Sequence, residues 1–181
     1  MIKIVTILGA RPQFIKAAVV SKAFIKTKQI TEVIIHTGQH YDSKMSDLFF
    51  NEMNIPRPKY FLNINGQSHG AMTGRMLEKI EDLLIIEKPD YVLVFGDTNS
   101  TLAGAIACKK MNIKLIHVEA GLRSFNNLMP EEINRIITDR ISDLLFCPTE
   151  TAVKNLNSEG LKENTIFNVG DVMQDAVSFY S

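Results

Sequence analysis

Short apolar runs alternate with longer helical patterns along the chain, and this alternation constrains the fold more than any other feature of the sequence. Most runs are continuous, as in residues 91–95 (YVLVF), which predicts strands that are buried on both faces. We predict strands at residues 3–8, 32–37, 60–62, 91–95, 114–118, 144–147 and 166–169. We predict helices at residues 14–26, 43–53, 68–87, 100–111, 130–141, 149–159 and 171–180. The strict alternation of strand and helix predicts an α/β fold with a doubly wound, Rossmann-like parallel sheet.

Composition narrows the range of partners. The chain has 181 residues, the size of one ordinary domain, and its 20 basic and 20 acidic residues give a formal net charge of zero. Lys and Arg form no run, which argues against nucleic acid or an anionic membrane as a partner. No apolar stretch approaches the ~18 residues that a membrane span requires. Cys108 and Cys147 lie in apolar surroundings, which predicts reduced structural thiols and a cytoplasmic protein.

Acidic residues follow the predicted strands at the points where those strands end. Asp97 comes shortly after residues 91–95, and Glu119 comes directly after residues 114–118. Because parallel strands end at one edge of a sheet, we expect both carboxylates there, with Glu131 near them at the start of the next helix. Carboxylates gathered in this way suggest acid–base chemistry.

Each of these acids also has a structural interpretation. Asp97 and Thr98 could cap the helix that follows them, and local grounds alone favour capping for Asp97. Glu119 precedes Ala-Gly, where no cap is needed. Glu131 and Glu132 both lie in a first helical turn, which favours acids, and we expect one of the two to be structural. His117 lies inside a strand, which predicts a core residue.

Basic residues surround the first strand-to-helix turn. Arg11 precedes Pro12, which suits the first position of a helix, and Lys16 lies about one turn later. Helix N-termini with nearby cations bind phosphates, so we predict a phosphate or diphosphate site there. The alternative is that Arg11 and Lys16 are solvated surface charges. The segment matches neither a dinucleotide fingerprint nor a P-loop. His40 lies on the loop after the second strand and could contact a ligand, and no spacing of ligands predicts a metal.

Six segments together resemble the N-terminal half of the non-hydrolysing UDP-N-acetylglucosamine 2-epimerases. They are GARPQFIKAAVV, TGQHYD, GDTNSTLAGAIA, HVEAGLRS, MPEEINR and CPTETAVKNL, in the order and spacing of that family, and the likeness covers nearly all of the chain. The resemblance implies a glycosyltransferase-B-type fold, in which two Rossmann-like domains enclose a nucleotide sugar. Residues 1–181 would be the N-terminal domain of that fold, without the C-terminal nucleotide-binding domain.

The resemblance also implies a reaction and a set of site residues. The family interconverts UDP-N-acetylglucosamine and UDP-N-acetylmannosamine by eliminating UDP to a 2-acetamidoglucal and adding it back. By motif match the catalytic carboxylates are Asp97, Glu119 and Glu131, and the substrate-binding residues are Arg11, Lys16, Gln39, His40, Glu132 and Arg135. The resemblance implies no cofactor, and it implies a homodimer formed through this half.

Departures from the family pattern leave the substrate open. Ala10 and Gln13 stand where many members have Thr and Glu, and residues 72–77 (MTGRML) and 123–126 (RSFN) are closer to the branch that epimerises UDP-2,3-diacetamido-2,3-dideoxyglucuronate. The chain could also be half of a nucleotide-sugar glycosyltransferase, a non-catalytic binding domain, or a member of the hydrolysing branch, which releases free sugar. We expect the isolated chain to be almost inactive, because half of the cleft would be missing.

Overall fold

The computed structural model describes residues 1–39 and 56–180, and within them seven strands form one sheet. The strands are β1 (Ile2–Leu8), β2 (Ile30–His36), β3 (Tyr60–Phe61), β4 (Tyr91–Phe95), β5 (Lys114–Val118), β6 (Leu144–Cys147) and β7 (Ile166–Asn168). Every neighbouring pair is parallel, and the spatial order is β3-β2-β1-β4-β5-β6-β7. The predicted α/β fold with a doubly wound parallel sheet is therefore confirmed.

The helices also follow the predicted order. They are α1 (Arg11–Thr27), α2 (His69–Glu87), α3 (Asn99–Lys110), α4 (Pro130–Ile141), α5 (Glu150–Ser158) and α6 (Val172–Tyr180). A short 3₁₀ turn at Glu163–Thr165 was not predicted. α1 begins three residues before the predicted start, because Pro12 occupies its second position and leaves Arg11 as the first helical residue. The helix predicted at residues 43–53 lies outside the described residues.

Helices cover both faces of the sheet. On one face, α2 packs through Met72, Met76, Ile80 and Leu84, the stripe that the 3.6-residue period predicts. On the other face, the buried side chains of α1, such as Phe14, contact the opposite sides of the same strands. Among the described residues, none of the helices combines the length and the apolar character that crossing a bilayer requires.

A buried carboxylate fastens α2 to the amino ends of the strands. Glu87 lies at the last position of α2, and its side chain is 3% exposed. It pairs with Lys3 at 2.6 Å and with Lys59 at 2.7 Å, and it accepts a hydrogen bond from the Tyr60 hydroxyl. These partners, Lys3 foremost, lower the pKa of Glu87 to about 2. The contact stabilises the end of the sheet that lies away from the strand-end acids.

The strand order places a topological switch point between β1 and β4. From β1 the chain runs outward through β2 and β3, and from β4 it runs the other way through β5, β6 and β7. In sheets of this kind, ligands bind beyond the carboxyl ends of the two strands at the switch point. The segments that follow β1 and β4 are residues 9–10 and 96–98, so the fold brings together two turns that the sequence singled out.

Candidate active site

An open cleft lies at the switch point and has a volume of about 150 Å³. Residues of the N-terminus of α1, the turns after β4 and β5, and α4 line it: Ala10, Pro12, Gln13, Lys16, Phe95, Gly96, Asp97, Thr98, Glu119, Leu122 and Arg135. Four of the predicted site residues are therefore in one cleft, namely Lys16, Asp97, Glu119 and Arg135. The cleft is lined by both acidic and basic side chains, which is the composition that acid–base chemistry on an anionic substrate requires.

Glu119 is paired with Lys16 inside the cleft. The Lys16 ammonium donates to Glu119 Oε2, and the two side chains are only 11% and 12% exposed. Glu119 has a positive φ of 69°, an unfavourable conformation for a residue with a side chain. Gly96 lies beneath it, and a Cβ at that position would lie 3.4 Å from Glu119 Oε2. A strained residue with a largely buried charge is typical of a functional site.

Asp97 contacts Arg135 rather than capping a helix. The cap of α3 is Thr98, whose hydroxyl accepts a hydrogen bond from the amide of Thr101. The Asp97 carboxylate lies 2.6 Å from Arg135 Nη2, and the Asp97 carbonyl accepts a hydrogen bond from Asn134 Nδ2 at 2.9 Å. The capping interpretation of Asp97 is therefore wrong, because Thr98 takes that role and leaves the carboxylate facing the cleft.

The two adjacent acids at the start of α4 have different environments. Glu132 is 1% exposed, and its carboxylate accepts hydrogen bonds from the amides of Ser124 and Phe125 and pairs with Arg135. Burial would raise the pKa of Glu132, yet the amides and Arg135 outweigh it and hold that pKa below its ordinary value. This geometry favours a role for Glu132 in shaping the loop before α4 over direct contact with a substrate.

Glu131 lies at the edge of this arrangement. It is partly exposed, and it does not line the cleft. Residues four apart lie on the same side of a helix, so Glu131 is one turn from Arg135 and on its side of α4. Among the described residues, no hydrogen bond or ion pair holds the Glu131 carboxylate, so this side chain can turn toward a ligand. The structure thus brings Asp97 and Glu119 into the cleft and leaves Glu131 beside it.

Gln13 joins the turn after β1 to the end of β4. Its Oε1 accepts the amides of Gly9 and Ala10 at 2.7 and 3.0 Å, and its Nε2 donates to the Phe95 carbonyl at 2.8 Å. The amides of Gly9 and Ala10 are therefore not available to a phosphate. The predicted phosphate site would depend instead on Lys16, on the positive end of the α1 dipole and on Arg11, which is exposed at the first position of α1.

The remaining predicted binding residues follow β2. Gln39 Oε1 accepts from the amide and the hydroxyl of Ser100 at 3.0 and 2.7 Å, so its side chain is engaged at the N-terminus of α3. It is not among the residues that line the cleft. His40 lies outside the described residues. The described residues contain no group of three or more His, Cys, Asp or Glu side chains that could hold a metal ion.

A buried charge network lies behind the cleft at His117, for which the sequence predicts only a core position. His117 is fully buried and contacts Asp139 Oδ1 at 2.6 Å. Asp139 also contacts Arg123 at 2.7 Å and accepts the amide of Gly121 at 3.1 Å. Burial would raise the pKa of Asp139, but His117 and Arg123 outweigh it and hold that pKa below its ordinary value.

Known proteins resemble this chain in sequence. A family model described as UDP-N-acetylglucosamine 2-epimerase matches residues 22–181. The chain is 60% identical to a UDP-2,3-diacetamido-2,3-dideoxy-D-glucuronate 2-epimerase of Pseudomonas aeruginosa, covering 99% of this chain and 51% of the relative. It is 54% identical to a UDP-N-acetylglucosamine 2-epimerase of Methanocaldococcus jannaschii, covering 96% of this chain and 47% of the relative. The chain thus spans about half the length of the curated relatives it matches.

Solved structures resemble it in fold. A Methanocaldococcus jannaschii UDP-GlcNAc 2-epimerase in complex with UDP-GlcNAc and UDP superposes with a TM-score of 0.95 at 53% identity, covering 98% of this chain and 49% of that one. A Neisseria meningitidis UDP-GlcNAc 2-epimerase bound to UDP-GlcNAc superposes with a TM-score of 0.92 at 36% identity, covering 98% of this chain and 49% of that one. A lipopolysaccharide outer core galactosyltransferase superposes with a TM-score of 0.66 at 18% identity, covering 94% of this chain and 46% of that one. This likeness is one of fold alone.

Proposed function

Because the chain belongs to the UDP-N-acetylglucosamine 2-epimerase family, we propose that it forms the N-terminal half of a UDP-sugar 2-epimerase. One observation carries the proposal: Asp97 and Glu119 line the same cleft at the switch point, each paired with a cation. The proposed reaction interconverts UDP-N-acetylglucosamine and UDP-N-acetylmannosamine. This is the activity in the name of the Methanocaldococcus jannaschii relative.

The chemistry accounts for the mixture of charges. The C2–H bond of the sugar is not next to a carbonyl, so the proposed route eliminates UDP to a 2-acetamidoglucal and adds it back after protonation of the opposite face. The carboxylates of Asp97, Glu119 and Glu131 would remove and return the proton at C2. Arg11 and Lys16 would hold the departing diphosphate. If a phosphate took the Lys16 ammonium, Glu119 would lose its counter-ion and become a better proton acceptor.

A second domain would complete the cleft. Pockets for small ligands commonly measure about 300–1,000 Å³, and the cleft formed by this chain is smaller, at about 150 Å³. We therefore place the uridine and part of the diphosphate against a C-terminal half, since the relatives are about twice as long as this chain. We also propose a cytoplasmic homodimer, in keeping with a nucleotide-sugar substrate and with the resemblance.

A second candidate differs in the sugar alone. The 60% identity to the Pseudomonas aeruginosa relative favours UDP-2,3-diacetamido-2,3-dideoxyglucuronate as an alternative substrate. Both candidates invert C2 of a UDP-linked 2-acetamido sugar, so the roles proposed for the carboxylates are the same. They differ at C3 and C6, and only a direct comparison of the two sugars decides between them.

The test uses what we call the two-domain enzyme, which is this chain joined to a C-terminal half. That half is the chain's own or the corresponding half of the Methanocaldococcus jannaschii enzyme, whose first half superposes closely. Each UDP-sugar is incubated with the two-domain enzyme without an acceptor, and the epimer is followed by proton NMR. We expect the C2 epimer of at least one sugar and almost no turnover by the isolated chain. Transfer to an added acceptor, or release of free sugar alone, would contradict the proposal.

A further inference from the structure

His117 joins the two turns that carry the cleft carboxylates. It lies on β5 two residues before Glu119, and its Nε2 lies 2.7 Å from the carbonyl oxygen of Gly96, the residue before Asp97. On the other side of the ring, Nδ1 lies 2.6 Å from Asp139, which also accepts the amide of Gly121. One buried side chain therefore links the turn after β4 to the turn after β5.

The hydrogen-bond partners define the protonation of the ring. A carbonyl oxygen only accepts hydrogen bonds, so the contact with Gly96 requires a proton on Nε2. An ionised carboxylate also only accepts, so the contact with Asp139 requires a proton on Nδ1. A ring that donates from both nitrogens is an imidazolium, the form of His117 in which both of these contacts are hydrogen bonds.

The surrounding charges balance that imidazolium. Asp139 on α4 faces it directly, and Arg123 from the loop after β5 contacts the other oxygen of Asp139. Arg123 in turn makes two contacts of 2.7 Å with Glu159, the residue that follows α5. Two cations and two carboxylates alternate, which is how buried charges are tolerated in proteins. The network thus fixes His117 from the side away from the cleft.

We propose that His117 is a positioning residue for the epimerisation, and that its two donated hydrogen bonds set the separation and orientation of Asp97 and Glu119. The inference rests on the function proposed above. Neither ring nitrogen faces the cleft, so His117 acts through the two turns and not on the substrate. Displacement of a reacting group by about 1 Å can cost roughly 100-fold in rate, and these turns hold two of the three carboxylates.

Kinetics of the two-domain enzyme test the positioning role. In His117→Phe both hydrogen bonds are lost, and we expect kcat to fall about 100-fold while KM and UDP affinity change less than about threefold. His117→Gln retains one amide donor and should recover part of that loss. Glu87→Gln is the control, because it removes a buried charge at the opposite end of the sheet and should leave kcat per folded molecule unchanged. Folded His117 variants with a normal kcat would overturn the proposal. A loss of activity that is explained entirely by a smaller fraction of folded protein would overturn it as well.

A measurement on the wild-type two-domain enzyme needs no substitution. Nitrogen-15 NMR of the His117 ring at neutral pH should give signals of two protonated nitrogens. A neutral ring with one protonated nitrogen overturns the proposal even if His117→Phe fails to fold. A wild-type two-domain enzyme that epimerises neither sugar contradicts the proposed function. An active enzyme whose His117 variants are unaffected contradicts the positioning role alone.

Discussion

Glu119 combines two unfavourable features at one residue. Its backbone has a positive φ, which costs about 1–3 kcal/mol in a residue other than glycine, and its carboxylate is largely buried. Lys16 compensates the charge, and the hydrogen bonds that the amides of Glu119 and Ala120 donate to the Phe146 carbonyl hold the backbone. Backbone strain and a largely buried carboxylate at one residue favour a functional role.

The first prediction concerns the three carboxylates. In the two-domain enzyme, Asp97→Asn, Glu119→Gln and Glu131→Gln should each lower kcat by about 10²–10⁴, because an amide can neither remove nor return a proton. Circular dichroism should remain close to wild type, so that the loss is one of rate per folded molecule. The exposed Glu78→Gln on α2 is the matched control and should keep full activity. Near-normal turnover in all three variants would contradict the assignment of these residues as the catalytic carboxylates.

The second prediction separates Glu132 from Glu131. Glu132→Gln should destabilise the protein by about 1–3 kcal/mol, because two backbone amides lose a charged acceptor and Arg135 loses a partner. Glu131→Gln should change the free energy of unfolding by less than about 0.5 kcal/mol, as is usual for surface positions without specific contacts. Urea titration of the isolated chain measures both values. Equal destabilisation by the two substitutions would contradict the structural difference between them.

At the scale of elements, side-chain contacts between turns hold the strand ends in place. Gln13 uses both ends of its amide, accepting from the turn after β1 and donating to the last residue of β4. The two strands at the switch point are therefore fastened to each other beyond their last ladder hydrogen bonds. Gln13 and Lys16 lie about one turn apart on α1, and both line the cleft. The Gln13 contact therefore helps to position Lys16.

The third prediction tests that contact. Gln13→Leu should destabilise the chain by about 1–3 kcal/mol, because it leaves the amides of Gly9 and Ala10 without their acceptor. Gln13→Glu keeps the acceptor and loses only the donor, so it should cost less. Denaturant unfolding should give the largest free energy of unfolding for the wild type, a smaller one for Gln13→Glu and the smallest for Gln13→Leu. A Leu variant as stable as wild type would show that the contact contributes nothing.

The fourth prediction concerns acid stability through Glu87. Its pKa falls from 4.5 in the unfolded reference to about 2 in the folded protein, because Lys3, Lys59 and Tyr60 stabilise the carboxylate. The contribution of Glu87 is therefore fully present above about pH 4.5 and is lost as the pH falls toward 2. The difference in unfolding free energy between wild type and Glu87→Gln should shrink over that window. The control is Asp82→Asn at an exposed position of the same helix, whose difference in unfolding free energy from the wild type should be small and independent of pH. A difference for Glu87→Gln that stays constant between pH 4.5 and 2 would contradict this role of Glu87.

The order of elements could be predicted because it depends on local periodicity. The bounds of α4 were predicted without error, since Pro130 marks its first residue. The position of Asp97 and Glu119 in one cleft followed from the shared edge of parallel strands, a property of topology. The His117 network could not be predicted, because Asp139 lies 22 residues further along and no local pattern links the two. Adjacent acids such as Glu131 and Glu132 also cannot be told apart until the helix is packed.

At the scale of the whole molecule, the proposed function makes this chain one wall of a larger cleft. Its relatives are about twice as long, and the site residues lie at an open edge of the sheet. An elimination that releases UDP requires water to be excluded and the diphosphate to be held, and a single open wall does neither. In the proposed function, this chain therefore supplies the acid–base groups and a second half completes the site.

Deuterium incorporation at C2 of the sugar tests the central claim most directly. The two-domain enzyme is incubated with UDP-N-acetylglucosamine, or with the diacetamido-glucuronate sugar, in deuterated water, and the C2 proton signal is followed by NMR. The account predicts that this signal disappears as the epimer forms, and that Asp97→Asn and Glu119→Gln slow both events together. Epimerisation that retains the C2 proton, or exchange at the wild-type rate in both variants, would contradict it.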